Sequence, residues 1–193
     1  MFSLRVDDEI SLVLAEERHA PAMTELIQRN QQRLARWEPW AEQPATLDST
    51  RAYIRAALDD FARGRQISTI IALDNGRRYV GRCGMRINPY ASSGDIGYWL
   101  DAAAEGRGIV SRSARALIGS VFEELELARV ELRTSVDNRR SRAVAERLGF
   151  SLEGTLPGGL RFAHRADDVA LYSVTAERWA ALTAQVAAMR RAP

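Results

Sequence analysis

The sequence predicts a mixed α+β domain, in which an antiparallel meander is followed by a β-α-β crossover and a C-terminal hairpin. Three features support this fold class. Short β-patterned segments separated by turn residues fill the middle of the chain, a long amphipathic helix follows them, and two more β-patterned segments come near the end. The 193 residues suffice for one domain over 1–193, with a core over about 10–179 and a helical tail over 180–193.

The first part of the chain is predicted to contain one strand and two helices. Alternating apolar residues over 10–14 predict a strand, and the apolar spacing over 19–35 predicts a helix. The Trp37-Glu-Pro-Trp40 segment ends this helix, because proline is incompatible with a helix interior. A second helix is predicted to begin at Asp48 and to continue to Gly64.

The middle of the chain is predicted to form a three-stranded meander. The β-branched segment 67–73 and the returning segment 79–87 flank Asp74-Asn-Gly76, which is typical of a hairpin turn. A loop over 88–94 then leads to a third strand over 95–100. Gly81 and Gly84 lie inside the second strand and predict a bulge or the close approach of another backbone.

Helices and strands alternate in the last part of the chain. A strand is predicted over 129–136, and a short helix over 141–148 is closed by Gly149. Two strands over 150–155 and 168–174 and a helix over 177–191 complete the fold. The long helix before them has one apolar face, formed by Val110, Ala114, Leu117, Ile118, Val121, Phe122 and Leu125.

Composition excludes several classes of protein. All 27 positive side chains are arginines, and 25 acidic residues leave a net charge of +2, which is too small an excess to favour a nucleic-acid partner. One cysteine, Cys83, and two distant histidines predict neither a disulfide nor a metal site. The first ten residues lack the apolar core of a secretory leader, and no apolar run is long enough for a membrane. We therefore expect a cytoplasmic protein.

The segment from Glu105 to Ser111 predicts an anion-binding site. It joins a strand to a helix N-terminus, where unpaired N–H groups and the helix dipole attract phosphate, and Gly106 and Gly108 allow close approach to the backbone. A P-loop is excluded because the chain has no lysine. The spacing nearly fits a dinucleotide fingerprint, but three antiparallel strands precede it, unlike a doubly wound sheet. An ordinary loop with two turn glycines is the alternative.

A second motif begins at Asp137-Asn-x-x-Ser141. Asn138 is a natural N-cap for the helix that follows, and a surface position is the alternative to a functional one for Ser141. The arginines of this helix are candidates for binding a phosphate or an acidic partner, with a solvated helix face as the alternative. They are Arg139, Arg140, Arg142 and Arg147.

Together the two motifs resemble the GCN5-related N-acetyltransferases. The resemblance is carried by Gly97-Tyr-Trp-Leu100 with Gly106-Arg-Gly-Ile-Val110, and by Asp137-Asn-x-x-Ser141 with Leu148-Gly-Phe150. Within this superfamily the chain is similar to the ribosomal-protein alanine/serine N-acetyltransferase branch, which Trp37-Glu-Pro-Trp40 also resembles. The similarity covers about residues 10–179 and includes the order of the elements.

The resemblance implies acetyl-CoA as a cosubstrate and no metal. The strand that ends at Leu100 should pair with the pantetheine arm and splay from the strand over 129–136. Ser141 is implied as the catalytic residue that protonates the leaving thiolate. Trp37, Trp40 and Tyr98 are implied to wall the acceptor site, with simple packing as the alternative for the two tryptophans. The implied cofactor-binding residues are Trp99, Leu100, Gly106, Arg107, Gly108, Ile109, Val110, Ser111 and Asn138.

The sequence departs from the family pattern at three positions. Glu105 and Val110 occupy the ends of the glycine loop, where the pattern has Gln or Arg and Gly or Ala, and Glu105 is expected to face solvent. Leu160 falls where some relatives have a glutamate that looks like the general base. A leucine cannot accept a proton, so the remaining candidates for the base are Glu38, Tyr98, His164, Asp167 and a water molecule.

These features predict an acetyl-CoA-dependent N-acetyltransferase in which a primary amine attacks the thioester directly. A protein N-terminal α-amine, as on a ribosomal protein, is the first acceptor considered. The alternatives are a small amine or aminoglycoside-like acceptor and another donor such as succinyl-CoA, which the arginine-rich loop over 161–165 would suit. A non-catalytic CoA-binding sensory module is the competing class. A homodimer is expected by analogy.

Overall fold

A computed structural model describes residues 3–191 of the chain. Over this range the chain forms one mixed sheet and five helices, which confirms the predicted fold class. The strands are β1 (Ser3–Arg5), β2 (Ile10–Leu14), β3 (Gln66–Leu73), β4 (Arg78–Asn88), β5 (Ser93–Leu100), β6 (Arg129–Ser135), β7 (Ser151–Arg161) and β8 (Ala166–Thr175). The helices are α1 (Ala20–Ala35), α2 (Leu47–Ala62), α3 (Ile109–Glu124), α4 (Arg139–Arg147) and α5 (Ala176–Arg191).

The order of strands across the sheet is β1-β2-β3-β4-β5-β6-β8-β7. Strands β3 to β5 form the predicted three-stranded antiparallel meander, and β1 and β2 extend it on the β3 side. Helix α3 then carries the chain to β6, which pairs in parallel with β5. The last two strands form the predicted C-terminal hairpin, and β8 lies between β6 and β7.

The meander follows the turn and glycine signals of the sequence. Asp74 and Asn75 both have positive φ, as a tight hairpin between twisted strands requires. The pairing of β3 with β4 shifts its register just before Gly81, which confirms the predicted irregularity. A Cβ atom at Gly81 would overlap the backbone of Trp99 and Leu100. Glycine at this position therefore lets β5 lie close against β4.

Helices cover both faces of the sheet. Alternate residues of the strands belong to two separate buried clusters: Ile71 and Leu100 pack with α3, whereas Ile70 and Trp99 pack with α1 and α2. Most of the predicted apolar face of α3 is buried against the sheet, including Ala114 and Leu117. Cys83 is buried in the larger cluster, and burial raises the pKa of its thiol to about 12.

Three element predictions were wrong. The short strand β1 was missed because three residues are too few to show an alternating pattern. Strand β7 continues to Arg161 instead of ending at Thr155, because it pairs with β8 beyond two register shifts. Leu125 is largely exposed, since helix α3 ends one residue before it and the side chain no longer follows the apolar face.

Candidate active site

The sheet opens between its two parallel strands. Pairing of β5 with β6 is confined to residues 93–95 and 129–131. Beyond this point β5 stays paired with β4 as far as Leu100, and β6 stays paired with β8 as far as Ser135. A cleft of about 1490 Å³ lies between the separated ends. The splay that the resemblance implied is therefore present.

One end of the cleft is an anion site at the start of α3. Gly108 is the N-cap residue, has a left-handed backbone with φ +68°, and provides no side chain to cap the helix. The first N–H groups of a helix have no acceptor within the helix, so those of Ile109, Val110 and Ser111 are available to a ligand. Gly106 also has positive φ, and the space where a Cβ would lie is open at both glycines. These features fit a phosphate group.

Arginines surround this end of the cleft. Glu105 does not simply face solvent as expected, because it pairs with Arg33 of α1 and with Arg140 of α4. Arg147 donates a hydrogen bond from Nη1 to Ser111 Oγ (3.2 Å). Arg139 and Arg140 also line the cleft. Three of the four arginines considered in the second motif thus line the cleft, and Arg140 and Arg147 contact the anion-site loop or the start of α3.

Arg142 has a different role. Its Nε donates to Tyr172 Oη (3.1 Å) and its Nη1 donates to the Val136 carbonyl (3.0 Å). These bonds tie α4 to β8 and to the end of β6. We therefore assign Arg142 to the packing of the crossover and not to ligand binding.

Asn138, Ser141 and Tyr98 meet at the centre of the cleft. Asn138 Oδ1 accepts a hydrogen bond from the Ser141 backbone N–H (3.1 Å), which confirms the predicted N-cap. The hydroxyl oxygens of Tyr98 and Ser141 are 3.2 Å apart, so one donates to the other. Burial raises the pKa of the Tyr98 phenol far above its ordinary value. Tyr98 is therefore protonated at neutral pH and forms a hydroxyl pair with Ser141.

The segment that follows α1 also lines the cleft. Trp37 and Glu38 line the cleft there, and Arg36 lies over the Trp37 ring at 4.7 Å from its centroid. Trp40 does not line the cleft; it is 49% exposed, and its Nε1 donates to Glu38 Oε2 (2.8 Å). Burial raises the pKa of the Glu38 carboxyl.

Several residues singled out in the sequence lie outside the cleft. Arg107 pairs with Glu9 and turns away from the cleft, so its backbone is the part that belongs to the loop. Asp167 pairs with Arg165 (3.0 Å), and His164 is exposed in the turn between β7 and β8. Leu160 lies near the end of β7 and is also outside the lining.

Sequence reasoning missed other residues of the cleft wall. Leu132 and Thr134 line the cleft, and the alternation of β6 would have identified them as facing inward. Arg33 lines it as well and donates to the Leu100 carbonyl at the end of β5. No local pattern marks this arginine, because its position depends on how α1 packs against β5.

The fold and the split sheet are those that the resemblance implied for an acyltransferase. Comparison with known proteins agrees: the acetyltransferase (GNAT) domain family matches residues 10–151. The chain therefore belongs to the GNAT family of acetyltransferases, and the enzyme class expected from the sequence is confirmed.

Two named proteins and one solved structure are similar to this chain over most of its length. The chain is 37% identical over 184 residues to the "Putative ribosomal N-acetyltransferase YdaF" of Bacillus subtilis, covering 93% of this chain and 98% of the relative. It is 30% identical over 172 residues to the ribosomal-protein-serine acetyltransferase of Escherichia coli, covering 89% and 95%. A solved structure of RimL, a ribosomal L7/L12 α-N-protein acetyltransferase in complex with coenzyme A, superposes with a TM-score of 0.86 at 28% identity, covering 90% and 98%.

Residues 3–191 contain neither a membrane-spanning helix nor a group of potential metal ligands. No helix in this range is long and apolar enough to cross a membrane. Nor does this range contain three or more histidine, cysteine, aspartate or glutamate side chains grouped so as to hold a metal ion.

Proposed function

We propose that the protein is an acetyl-CoA-dependent N-acetyltransferase that modifies the α-amine of a protein N-terminus, as on a ribosomal protein. The observation that carries this proposal is the open parallel pair β5–β6, whose cleft is lined both by the anion site at the start of α3 and by Trp37 and Glu38. Such a cleft can hold a donor and an acceptor side by side. The names of the curated relatives and of the RimL structure support the same donor and acceptor.

Acetyl-CoA fits the observed chemistry of the cleft. The N–H groups at the start of α3 would hold the pyrophosphate, with Gly106 and Gly108 allowing close approach. The edge of β5 beyond Asp95 is not paired with β6 and would bond the amides of the pantetheine arm near Trp99 and Leu100, where the Leu100 carbonyl already accepts from Arg33. Asn138 would contact the donor through its amide nitrogen, because Oδ1 caps α4. Arg139 and Arg140 lie where they can meet another phosphate.

The reaction proceeds by direct attack of the amine on the thioester carbon. A tetrahedral adduct forms, its nitrogen loses a proton to solvent, the C–S bond breaks, and the thiolate takes a proton from the Ser141 hydroxyl. Tyr98, whose hydroxyl is 3.2 Å from that of Ser141, relays a proton from solvent to Ser141 and is itself protonated again. Positioning supplies much of the rate for this acceptor, because an α-amine with a pKa of about 7.7–8.0 is already about 10–20% neutral at pH 7.

Trp37, Trp40 and Tyr98 are proposed to form the acceptor side. Trp37 and Tyr98 line the cleft directly, and Trp40 contributes through its hydrogen bond to Glu38.

The protein is proposed to act in the cytoplasm as a homodimer, with one catalytic domain over residues 1–193 in each subunit. We place the proposed dimer contact at the outer strand β7, because it exposes Leu152 and Leu156 at the edge of the sheet.

The test combines mass spectrometry with release of free thiol. The full-length protein is incubated with acetyl-CoA and short peptides that begin with a free alanine or serine, beside spermidine and an aminoglycoside. We expect a single acetyl group on the α-amine of a peptide. Transfer only to a small amine would replace the proposed acceptor. Binding of acetyl-CoA without transfer to any amine would favour the sensory module instead.

A further inference from the structure

The amine that attacks the thioester must first lose a proton if it binds as an ammonium ion. The structure excludes most of the candidates for the group that accepts this proton. His164 and Asp167 lie outside the cleft, and Leu160 has no proton-accepting group. Tyr98 lines the cleft but stays protonated at neutral pH. Of the side chains considered as the base, Glu38 is the remaining one that lines the cleft.

The backbone holds Glu38 in a fixed place. Its N–H donates to the Leu34 carbonyl at the end of α1 (2.8 Å), and its carbonyl accepts from the Ala41 N–H (2.9 Å). The side chain of Gln31 donates to the carbonyls of Ala41 and Gln43, and so ties the following turn to α1. These hydrogen bonds therefore hold the backbone of Glu38 in a braced segment beside the cleft.

The surroundings of the Glu38 carboxyl suit proton transfer. Oε2 accepts from Trp40 Nε1 (2.8 Å), whereas Oε1 has no hydrogen-bond partner in the part of the chain that the structure describes. Burial raises the pKa of the group, while the charges of Arg82 and Arg86 and the bond from Trp40 oppose that rise. A carboxylate whose pKa lies closer to neutrality is a better base than an ordinary one.

Two other carboxylates line the cleft and suit the role less well. Glu105 pairs with both Arg33 and Arg140, at the end of the cleft with the anion site. Asp137 is exposed and directly precedes Asn138 at the start of α4. Both lie on the side proposed for the donor. Glu38 is next to Trp37, which is proposed to form the acceptor side.

We propose that Glu38 is the general base that receives a proton from the acceptor amine; this assignment rests on the proposed function. One oxygen of Glu38 takes a proton from the ammonium group, and the neutral nitrogen then forms its bond to the thioester carbon. As the adduct collapses, the nitrogen releases its second proton to solvent and the C–S bond breaks. The thiolate receives one proton through Ser141, and Glu38 releases its proton to solvent, which completes the balance.

The main variant is Glu38→Gln, because glutamine still accepts the hydrogen bond from Trp40 but takes up no proton at working pH. We expect kcat at pH 7 to fall about 100-fold with an alanine- or serine-initiated peptide, and the dissociation constant of acetyl-CoA to stay unchanged. Glu42→Gln is the matched control on the same turn. Glu42 accepts a bond from the Ala163 N–H outside the cleft (2.9 Å), and glutamine can also accept it.

The pH profile separates a base from a structural residue. An α-amine is only about 5% neutral near pH 6.5 and about 80% neutral near pH 8.5, so a base matters most at the lower pH. The ratio of wild-type to Glu38→Gln kcat should therefore grow roughly tenfold or more between about pH 8.5 and about pH 6.5. Glu38→Asp keeps the carboxylate and should retain the wild-type pH dependence at a lower rate.

Each other outcome rejects a specific step. Equal kcat for Glu38→Gln and wild type, or a loss that is the same at every pH, would overturn the assignment of Glu38 as the base. An equal loss in Glu42→Gln would assign the effect to the structure of the turn. Thermal melts of all variants identify any that fail to fold, in which case Glu38→Asp and its pH profile decide. A wild-type protein that binds acetyl-CoA but acetylates no peptide would instead remove the proposed function itself.

Discussion

Replacing Gly108 with alanine tests the anion site directly, and Gly64 offers a matched control. Both glycines have φ +68°, and both have open space where the new Cβ would lie. Gly64 follows α2 and lies outside the cleft, whereas Gly108 lines it at the start of α3. The two substitutions therefore impose the same backbone strain, but only one of them changes the proposed phosphate site.

The expected loss of stability is small and equal for the two variants. The left-handed conformation costs an L-residue about 1–2 kcal/mol, and the loss of glycine entropy from the unfolded chain offsets about 0.4–1 kcal/mol of it. With no steric clash in either place, the net loss is about 1 kcal/mol. For a chain of this size that lowers the melting temperature by about 2–4 °C.

The two variants should differ in their affinity for acetyl-CoA. A methyl group at Gly108 would fill part of the open space at the start of α3, and we expect it to keep a phosphate from the first N–H groups of the helix. Loss of one hydrogen bond to a charged group costs about 1.5–3 kcal/mol, which weakens binding at least tenfold. A leucine at Gly108 should weaken it further, and Gly64→Ala should bind like wild type.

Titration calorimetry with acetyl-CoA and thermal melts measure both effects on the same samples. Equal dissociation constants for Gly108→Ala and wild type would refute the pyrophosphate site. Clearly unequal melting temperatures for the two alanine variants would refute the reasoning from backbone strain.

Three more substitutions extend these tests. Ser141→Ala should lower kcat more than it weakens acetyl-CoA binding, because the hydroxyl is proposed to protonate the thiolate; wild-type turnover would leave Ser141 with a structural role only. Glu105→Gln should tighten acetyl-CoA binding about fivefold in low salt, because it removes a negative charge near the phosphates and frees Arg33 and Arg140; weaker binding would contradict this account. Tyr172→Phe should lower the free energy of unfolding by about 1 kcal/mol, because the buried Tyr172 hydroxyl accepts a hydrogen bond from Arg142 and donates one to Glu146 (3.0 Å). Urea unfolding measures this loss, and an unchanged midpoint would mean that the two bonds contribute no net stability.

Periodicity was sufficient to predict most of the fold. The helical spacing that begins at Val110 matches α3, and the alternation that begins at Val130 matches β6, because burial of one face is a local property of a helix or strand. The ends of elements were less predictable. Strand β7 continues to Arg161 because its backbone pairs with β8, and no sequence pattern within β7 indicates that pairing.

The candidate site, like the fold, was only partly predictable from the sequence. The loop from Gly106 to Ser111 was recognisable because positive φ and a free helix N-terminus depend on neighbouring residues. The Asn138 cap was recognisable for the same reason. The sequence offered Glu38 as one of several candidate bases. The structure favours it because Glu38 and Trp37, which follow α1, line the cleft, whereas His164 and Asp167 do not.

The sequence by itself determined the elements, their order, the anion-binding loop and the family motifs, because each depends on residues close together in the chain. Tertiary structure decided where β5 leaves β6, and which distant charges meet. Arg33, Glu105 and Arg140 belong to three different segments, and they join only because the opened sheet brings the start of α4 and the end of α1 to the same loop. Contacts of this kind depend on how helices and strands pack against one another, and no local sequence pattern predicts that packing.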